Sequence, residues 1–70
     1  MIKPIPGKQI KIINQNGYPY VIRGDFGILT KVEEDTGGYW FADFDRCGRD
    51  GNFNGEFCVG KLDNFILLHP

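Results

Sequence analysis

The residues that come closest to a chemical motif form one polar stretch in the second half of the chain. Asp50-x-Asn52-x-Asn54-Gly55 places oxygen-bearing side chains at alternate positions before a glycine, as in the first half of a calcium-binding loop. The position that should carry the bidentate glutamate is Lys61, and strand-like segments flank the stretch where helices should stand. Asn, Asp and Gly in this order are equally what a long hairpin turn requires. The turn is therefore the favoured interpretation, and no metal or cofactor is predicted.

Two cysteines and one histidine are the other candidates for metal binding. Cys47 and Cys58 fall on adjoining strands of the predicted last hairpin, and His69 is the penultimate residue. A zinc site takes four ligands, which these three residues do not supply within one chain. A disulfide needs Cα atoms within about 7 Å, and only the strand register decides that distance. The sequence leaves bridged and reduced cysteines open, with reduced packing residues favoured in a cytosolic protein.

No combination of residues indicates catalysis. Asp43 and Asp45 are two residues apart on one predicted strand and have the chemistry of an acid–base pair. That chemistry needs a pocket, which a packed barrel of this size seldom encloses, so surface charge is favoured. We find no nucleophile with a base and no phosphate loop, and we therefore predict a protein that is not an enzyme. Arg23-Gly24-Asp25 is the integrin-type tripeptide, and it is interpreted as a turn.

Length and charge restrict the class of protein. The chain has 70 residues, 10 of them glycine, 10 of them aromatic and four of them proline, with a net charge of −1. This length predicts one domain over residues 1–70. A near-neutral chain lacks the basic surface that usually drives nucleic-acid binding. No long apolar span or leader is recognisable, so we expect a complete small cytoplasmic protein without membrane contact.

The spacing of apolar residues predicts strands throughout. Lys8–Ile13 alternates apolar and polar residues, and Asn16-Gly17 is a strong hairpin signal. Pro19 cannot donate a ladder hydrogen bond, so Tyr18–Arg23 is predicted as an edge strand or a long loop arm. Phe26–Glu33 follows as a strand, with Ile28, Thr30 and Val32 on one face and Leu29 and Lys31 on the other.

The second half of the chain continues the same pattern. Glu34–Gly38 is predicted as a turn, and Tyr39–Arg46 as a strand whose Trp40, Ala42 and Phe44 share the buried face. Cys47–Gly55 is predicted as a polar turn, Glu56–Val59 as a strand, Leu62–Phe65 as a single 3₁₀ turn and Ile66–Leu68 as the closing strand. Five short strands separated by turns favour an all-β fold, a small antiparallel barrel with one short 3₁₀ turn near the C-terminus.

Several of these segments resemble the SH3-like barrel family. The family's turn-strand-turn pattern is similar to the run Gly24–Glu33 followed by Tyr39-Trp40-Phe41-Ala42. Its closing strand, 3₁₀ turn and last strand resemble Gly55-Glu56-Phe57 with Leu62–Ile66. The resemblance covers about residues 7 to 69 and concerns the fold. The family's Ala-Leu-Tyr-Asp-Tyr element and the proline before the 3₁₀ turn are absent, and Cys47–Asn54 is longer than usual, which argues against proline-rich ligands. The layout also looks like bacterial modules of the translation-factor and Tudor type, which bind proteins or nucleic acid.

The number of aromatic residues points to a binding surface. Rings beyond those that a small core can hold are predicted on the outside, where tyrosine and similar side chains dominate binding hot spots. Because SH3-like barrels often line a ligand groove with acidic loop residues, the resemblance also implies a partner for the acidic turn, which is otherwise a solvated surface turn. The predicted partner site comprises Tyr18, Tyr20, Tyr39, Phe41, Glu33, Glu34 and Asp35.

We therefore expect a module that binds another protein, such as a small phage or mobile-element accessory that modulates a host factor. The alternative is a module that contacts RNA or DNA through the same aromatic residues, because bases stack on rings without sequence readout.

Overall fold

A computed structural model describes residues 4–14 and 20–68 of the chain. Within them the secondary structure consists of strands and two 3₁₀ turns, which confirms the predicted all-β class. No helix in these two ranges has the length and apolar character that a membrane crossing requires. The strands are β1 (Gln9–Ile12), β2 (Phe26–Glu33), β3 (Tyr39–Cys47), β4 (Phe53–Gly60) and β5 (Phe65–Leu67), and the 3₁₀ turns are Glu34–Thr36 and Leu62–Asn64.

The five strands form one antiparallel sheet in the order β4-β3-β2-β1-β5. Strands β4 and β1, which are not neighbours in the sheet, are linked through the buried Asn64 of the second 3₁₀ turn. Its side-chain Nδ2 donates to the carbonyl of Val59 at 3.1 Å, and its backbone carbonyl accepts from Ile13 N–H at 2.9 Å. One amide residue thus ties the end of β4 to the end of β1. Full closure into a barrel and membership of the SH3-like family remain predictions.

The core lies against one face of β3, as the alternation of its sequence predicts. Trp40, Ala42 and Phe44 are all buried, while Asp43 and Asp45 between and beyond them are exposed. A strand with this alternation fixes which face of the sheet is the interior, since a slip by one residue would turn every side chain over. The buried apolar residues are Ile10, Ile12, Val21, Leu29, Trp40, Ala42, Phe44, Cys47, Val59 and Phe65.

The predicted face assignment of β2 is wrong, and a β-bulge is the reason. Leu29 pairs with Ala42 and Lys31 pairs with Phe41, so Thr30 is an extra residue between two consecutive pairs. The extra residue reverses the alternation along the strand. Leu29 before the bulge and Val32 after it therefore both face the core, whereas Ile28 faces outward and is half exposed.

The ends of several elements also differ from the sequence prediction. The acidic turn is itself a 3₁₀ turn, which ends at Gly37 with φ at 94°, a left-handed conformation that favours glycine. The expected single 3₁₀ turn is thus accompanied by a second one. At the last hairpin, Cys47 still pairs with Phe53, so β3 and β4 extend into the segment that was predicted to be a turn. Phe65 belongs to β5 rather than to the preceding turn, because it pairs with Ile12.

The carboxylate of Asp25 helps to hold the arm between β1 and β2, together with a backbone hydrogen bond from Gly24 N–H to the Ile12 carbonyl and the buried Val21. Residues 20–25 contain no strand, as the loop-arm alternative predicted, whereas Asn16-Gly17 and Tyr18 lie outside the described residues. The Oδ2 atom of Asp25 accepts hydrogen bonds from Ile22 N–H at 2.8 Å and from Gly48 N–H at 3.0 Å. The integrin-type tripeptide is therefore a turn whose carboxylate holds the arm to the β3–β4 turn.

Candidate partner-binding surfaces

The predicted partner site does not form one surface. Tyr39 is the first residue of β3. Tyr20 contacts Phe53, which pairs with Cys47, the last residue of β3. Tyr39 and Tyr20 therefore mark opposite ends of the same strand. Tyr18 lies outside the residues that the structure describes.

Tyr39 and Phe41 face outward as predicted, but lysines of the same chain cover their rings. The ammonium of Lys61 lies 5.5 Å from the centre of the Tyr39 ring, and that of Lys31 lies 4.9 Å from the centre of the Phe41 ring. The Lys31 ammonium is also 3.3 Å from the Glu33 carboxylate. These cation–π and ion-pair contacts leave both rings half-buried. This part of the predicted site is already occupied by neighbouring side chains.

The acidic turn presents its remaining carboxylates to solvent. Glu34 and Asp35 are exposed in the first 3₁₀ turn. Neither of them forms an ion pair with another described residue. Glu33 differs from them, since it ends β2, pairs with Tyr39 across the sheet and contacts Lys31. The turn thus offers two carboxylates to a ligand.

A cleft of about 530 Å³ opens between the two 3₁₀ turns, next to the acidic turn. We call it the end cleft. It contains apolar side chains, carboxylates and one lysine, together with two glycines whose lack of side chains widens it. The end cleft is lined by Val32, Glu34, Gly37, Gly38, Trp40, Lys61, Leu62 and Asp63.

The side chains of the end cleft suit a ligand that carries an apolar group next to a positive charge. Trp40 is packed edge-on against Phe65, with ring centres 6.3 Å apart, so its position is fixed by the core. Leu62 remains 55% exposed at the rim. Glu34 and Asp63 have no cationic partner within the described ranges, while the one lysine, Lys61, lies over the Tyr39 ring. A ligand thus meets apolar walls and a rim whose free charges are negative.

The opposite end of β3 carries a second aromatic surface, which we call the aromatic end and define by Tyr20, Phe53 and Phe57. Tyr20 stacks on Phe57 with ring centres 4.9 Å apart and interplanar angle 19°, and it meets Phe53 edge-on at 5.2 Å. Gly48 makes this packing possible, since a Cβ added there would come 2.6 Å from the Phe53 ring. Tyr20 and Phe53 remain 46% and 43% exposed.

The cysteines and the polar loop show no reactive arrangement. Cys47 is buried, Cys58 is half-buried, and both are free thiols. They are not opposite each other, because Cys58 pairs with Phe41 and Cys47 with Phe53. Burial and, to a lesser extent, the Asp25 carboxylate raise the pKa of the Cys47 thiol, which makes it a poor nucleophile at neutral pH.

The residues of the candidate calcium loop lie in the β3–β4 turn and at the start of β4. Asp50 and Asn52 are exposed in the β3–β4 turn, while Asn54 belongs to β4. Over residues 4–14 and 20–68, no three His, Cys, Asp or Glu side chains are grouped so as to hold a metal ion. His69 lies outside these ranges.

Sequence reasoning missed most of the end cleft and part of the aromatic end. The predicted 3₁₀ turn at Leu62–Phe65 and the acidic turn were both recognised, but their proximity depends on the sheet order. The position of Val32 in the cleft was missed because the order of residues in β2 does not indicate a bulge. Phe53 was missed because it lies in a segment that the sequence assigns to a turn.

Comparison with known proteins gives no family for the chain. No protein-family model matches it, and neither curated proteins nor solved structures give a match. An interpretation of function therefore depends on the two surfaces described above.

Proposed function

We propose that the protein is a non-enzymatic binding module that takes a basic and aliphatic segment of another protein into the end cleft. The observation that carries the proposal is the combination of the Trp40 wall with the free carboxylates of Glu34 and Asp63. The SH3-like resemblance supports it, because such modules bind partners beside acidic loop residues.

The two parts of the end cleft have different roles in this proposal. Burial of an aliphatic side chain against Val32, Trp40 and Leu62 provides affinity, at about 25 cal/mol for each Å² of apolar surface removed from water. A lysine or arginine of the ligand next to Glu34 or Asp63 mainly raises the association rate and selects the partner. The ligand is therefore expected to have an aliphatic residue close to a basic one.

An accessory role is part of this proposal. Within residues 4–14 and 20–68, the end cleft combines apolar walls with carboxylates, which suits binding of a partner. Occupation of a surface on a larger factor is an activity that such a module can perform. We propose this role in the cytoplasm, for a phage or mobile-element accessory that modulates a host factor.

A second candidate function is supported by the aromatic end. Tyr20 and Phe53 expose nearly half of each ring. Arg23 and Arg49 belong to the turns at this end, and Arg46 is the second-last residue of β3. Rings on which bases stack, next to arginines, are typical of single-strand binding surfaces. The net charge of −1 makes this candidate the weaker one.

A displayed library of random peptides, selected on the immobilised full chain, tests the first candidate. We expect enrichment of peptides that carry lysine or arginine next to an aliphatic residue. Binding of an enriched peptide is then followed by the fluorescence of Trp40, the single tryptophan. The Leu62→Ser variant and the double variant Glu34→Lys with Asp63→Lys should each weaken binding about tenfold or more, equivalent to about 1.4 kcal/mol.

Matched controls keep the test specific. Ile5→Ser changes another aliphatic side chain that is half exposed, and Asp50→Lys reverses an exposed charge in the β3–β4 turn. Both should leave peptide affinity unchanged. Enriched peptides without basic residues, or equal affinity for the cleft variants and the controls, would overturn the proposal. Binding of a thymidine oligonucleotide that is lost in Tyr20→Ser would instead establish the second candidate.

A further inference from the structure

The outer face of the sheet carries a patch of apolar side chains that shares no residue with the end cleft. Phe26 and Ile28 on β2 and Ile66 on β5 are 52%, 50% and 46% exposed. Phe26 and Ile28 are two residues apart on one strand, so they lie side by side on one face. We call these two residues the outer stripe. Single exposed apolar residues are ordinary, whereas adjoining ones form a patch that a partner can cover.

Opposite charges flank the outer stripe. On the β1 side, Lys11 pairs with Phe26, and Gln9 pairs with Ile28. On the β3 side, Asp43 pairs with Ile28, and the same antiparallel register brings Asp45 beside Phe26. A groove of about 320 Å³ runs along the β3 side of the stripe, and both aspartates and Arg46 line it. Arg46 donates from its Nε to the carbonyl of Gly51 at 3.4 Å.

The charges beside the outer stripe form no ion pairs within the described part of the chain. The Lys11 ammonium lies 5.8 Å from the centre of the Phe26 ring. It forms no ion pair with a described carboxylate, and neither Asp43 nor Asp45 pairs with a described cation. The Phe26 ring thus stands between a lysine and an aspartate that do not reach each other.

We propose that this face binds a second copy of the same chain. In a two-fold dimer the same surface is used by both partners, so it must be complementary to itself. With the two-fold axis parallel to β2, the outer stripes of the two copies face each other. Lys11 of each copy then faces Asp45 of the second copy, and the amide of Gln9 faces Asp43 of the second copy.

The order of charges across the sheet favours this occupant over a basic partner. A ligand of uniform positive charge would satisfy Asp43 and Asp45 but would be placed against Lys11. A second copy brings the opposite charge to each side at once. One two-fold axis therefore forms two Lys11–Asp45 pairs and places the two outer stripes in contact.

Sedimentation velocity of the full chain from micromolar to millimolar concentration tests the proposal. We expect a concentration-dependent monomer–dimer equilibrium. Lys11→Asp alone and Asp45→Lys alone should each weaken dimerisation about tenfold or more, because like charges then face each other. The double exchange Lys11→Asp with Asp45→Lys should restore it, since the pairs are re-formed with reversed sign.

Two further variants distinguish this surface from the rest of the chain. Arg49→Asp makes the same change of charge in an exposed turn and should leave dimerisation unchanged. Ile28→Ser should weaken the dimer without altering binding of the selected peptide, whereas Leu62→Ser should do the reverse. A chain that remains monomeric at millimolar concentration, or a double exchange that fails to restore the dimer, would overturn the proposal.

Discussion

The two ends of β3 contrast in how their aromatic side chains are used. At the aromatic end, Tyr20 stacks on Phe57 and is joined by Phe53, so each ring has another ring as its neighbour. At the cleft end, Trp40 packs on Phe65 and also forms a wall of an open cleft with free carboxylates at its rim. The first end exposes only aromatic surface beside its stacked rings, whereas the second exposes carboxylates together with apolar surface.

The contrast shows why a count of aromatic residues is a poor guide to a binding site. The rings of Tyr39 and Phe41 are near the cleft end but are covered by Lys61 and Lys31. The free groups at that end are instead carboxylates, together with the aliphatic Leu62. Binding capacity depends on which polar groups the fold leaves without partners, and the sequence does not state this directly.

Replacement of Trp40 should have the largest effect at the cleft end. Trp40→Ala removes a core side chain as well as a cleft wall, and it should lower the free energy of unfolding by about 3–5 kcal/mol. Urea titration followed by circular dichroism measures the change. A loss below about 1 kcal/mol would mean that Trp40 is a surface residue and that the core assignment is wrong.

The corresponding test near the aromatic end is Asp25→Ala. Its expected loss of unfolding free energy is smaller than that of Trp40→Ala. The substitution leaves the N–H groups of Ile22 and Gly48 without their acceptor, which should cost about 2 kcal/mol of stability. Asp50→Ala, in the exposed β3–β4 turn, should change stability by less than about 0.5 kcal/mol. Equal effects of the two alanine variants in urea titration would show that the carboxylate does not hold the arm.

The smallest stability losses are expected for the two tyrosines, Tyr20 and Tyr39. Tyr20→Ala loses the stacking on Phe57 and should reduce stability by about 1–1.5 kcal/mol. Tyr39→Ala loses the contact with Lys61 and should cost about 0.5–1 kcal/mol. Thermal melts of both variants measure the order. A larger loss for Tyr39 would show that its ring, rather than that of Tyr20, is packed into the structure.

The sequence predicts the fold class well because strand signals are local. β2 begins and ends at the predicted residues, and the alternation of Trp40, Ala42 and Phe44 identifies the interior. Turn residues such as Gly37 likewise indicate where the strands end. The errors arise where a long-range pairing overrides the local pattern. The bulge at Thr30 places Ile28 and Val32 on opposite faces, and the pairing of Cys47 with Phe53 lengthens the last hairpin.

The candidate site was less predictable, since it depends on contacts between distant segments. Glu34 was correctly placed in an exposed acidic turn, but its proximity to Leu62 and Asp63 follows from the sheet order. The cover over Phe41 comes from Lys31, whose position across the strand pair was set by the bulge. Residue types alone do not determine such neighbours.

An NMR titration of the isotope-labelled chain with a library-selected peptide tests the central claim most directly. The largest amide shifts should occur around the end cleft, at Val32, Gly37, Gly38 and Leu62, while Tyr20 and Phe53 stay unchanged. Shifts concentrated at Tyr20 and Phe53, with the end cleft unaffected, would contradict the account and place ligand binding at the aromatic end.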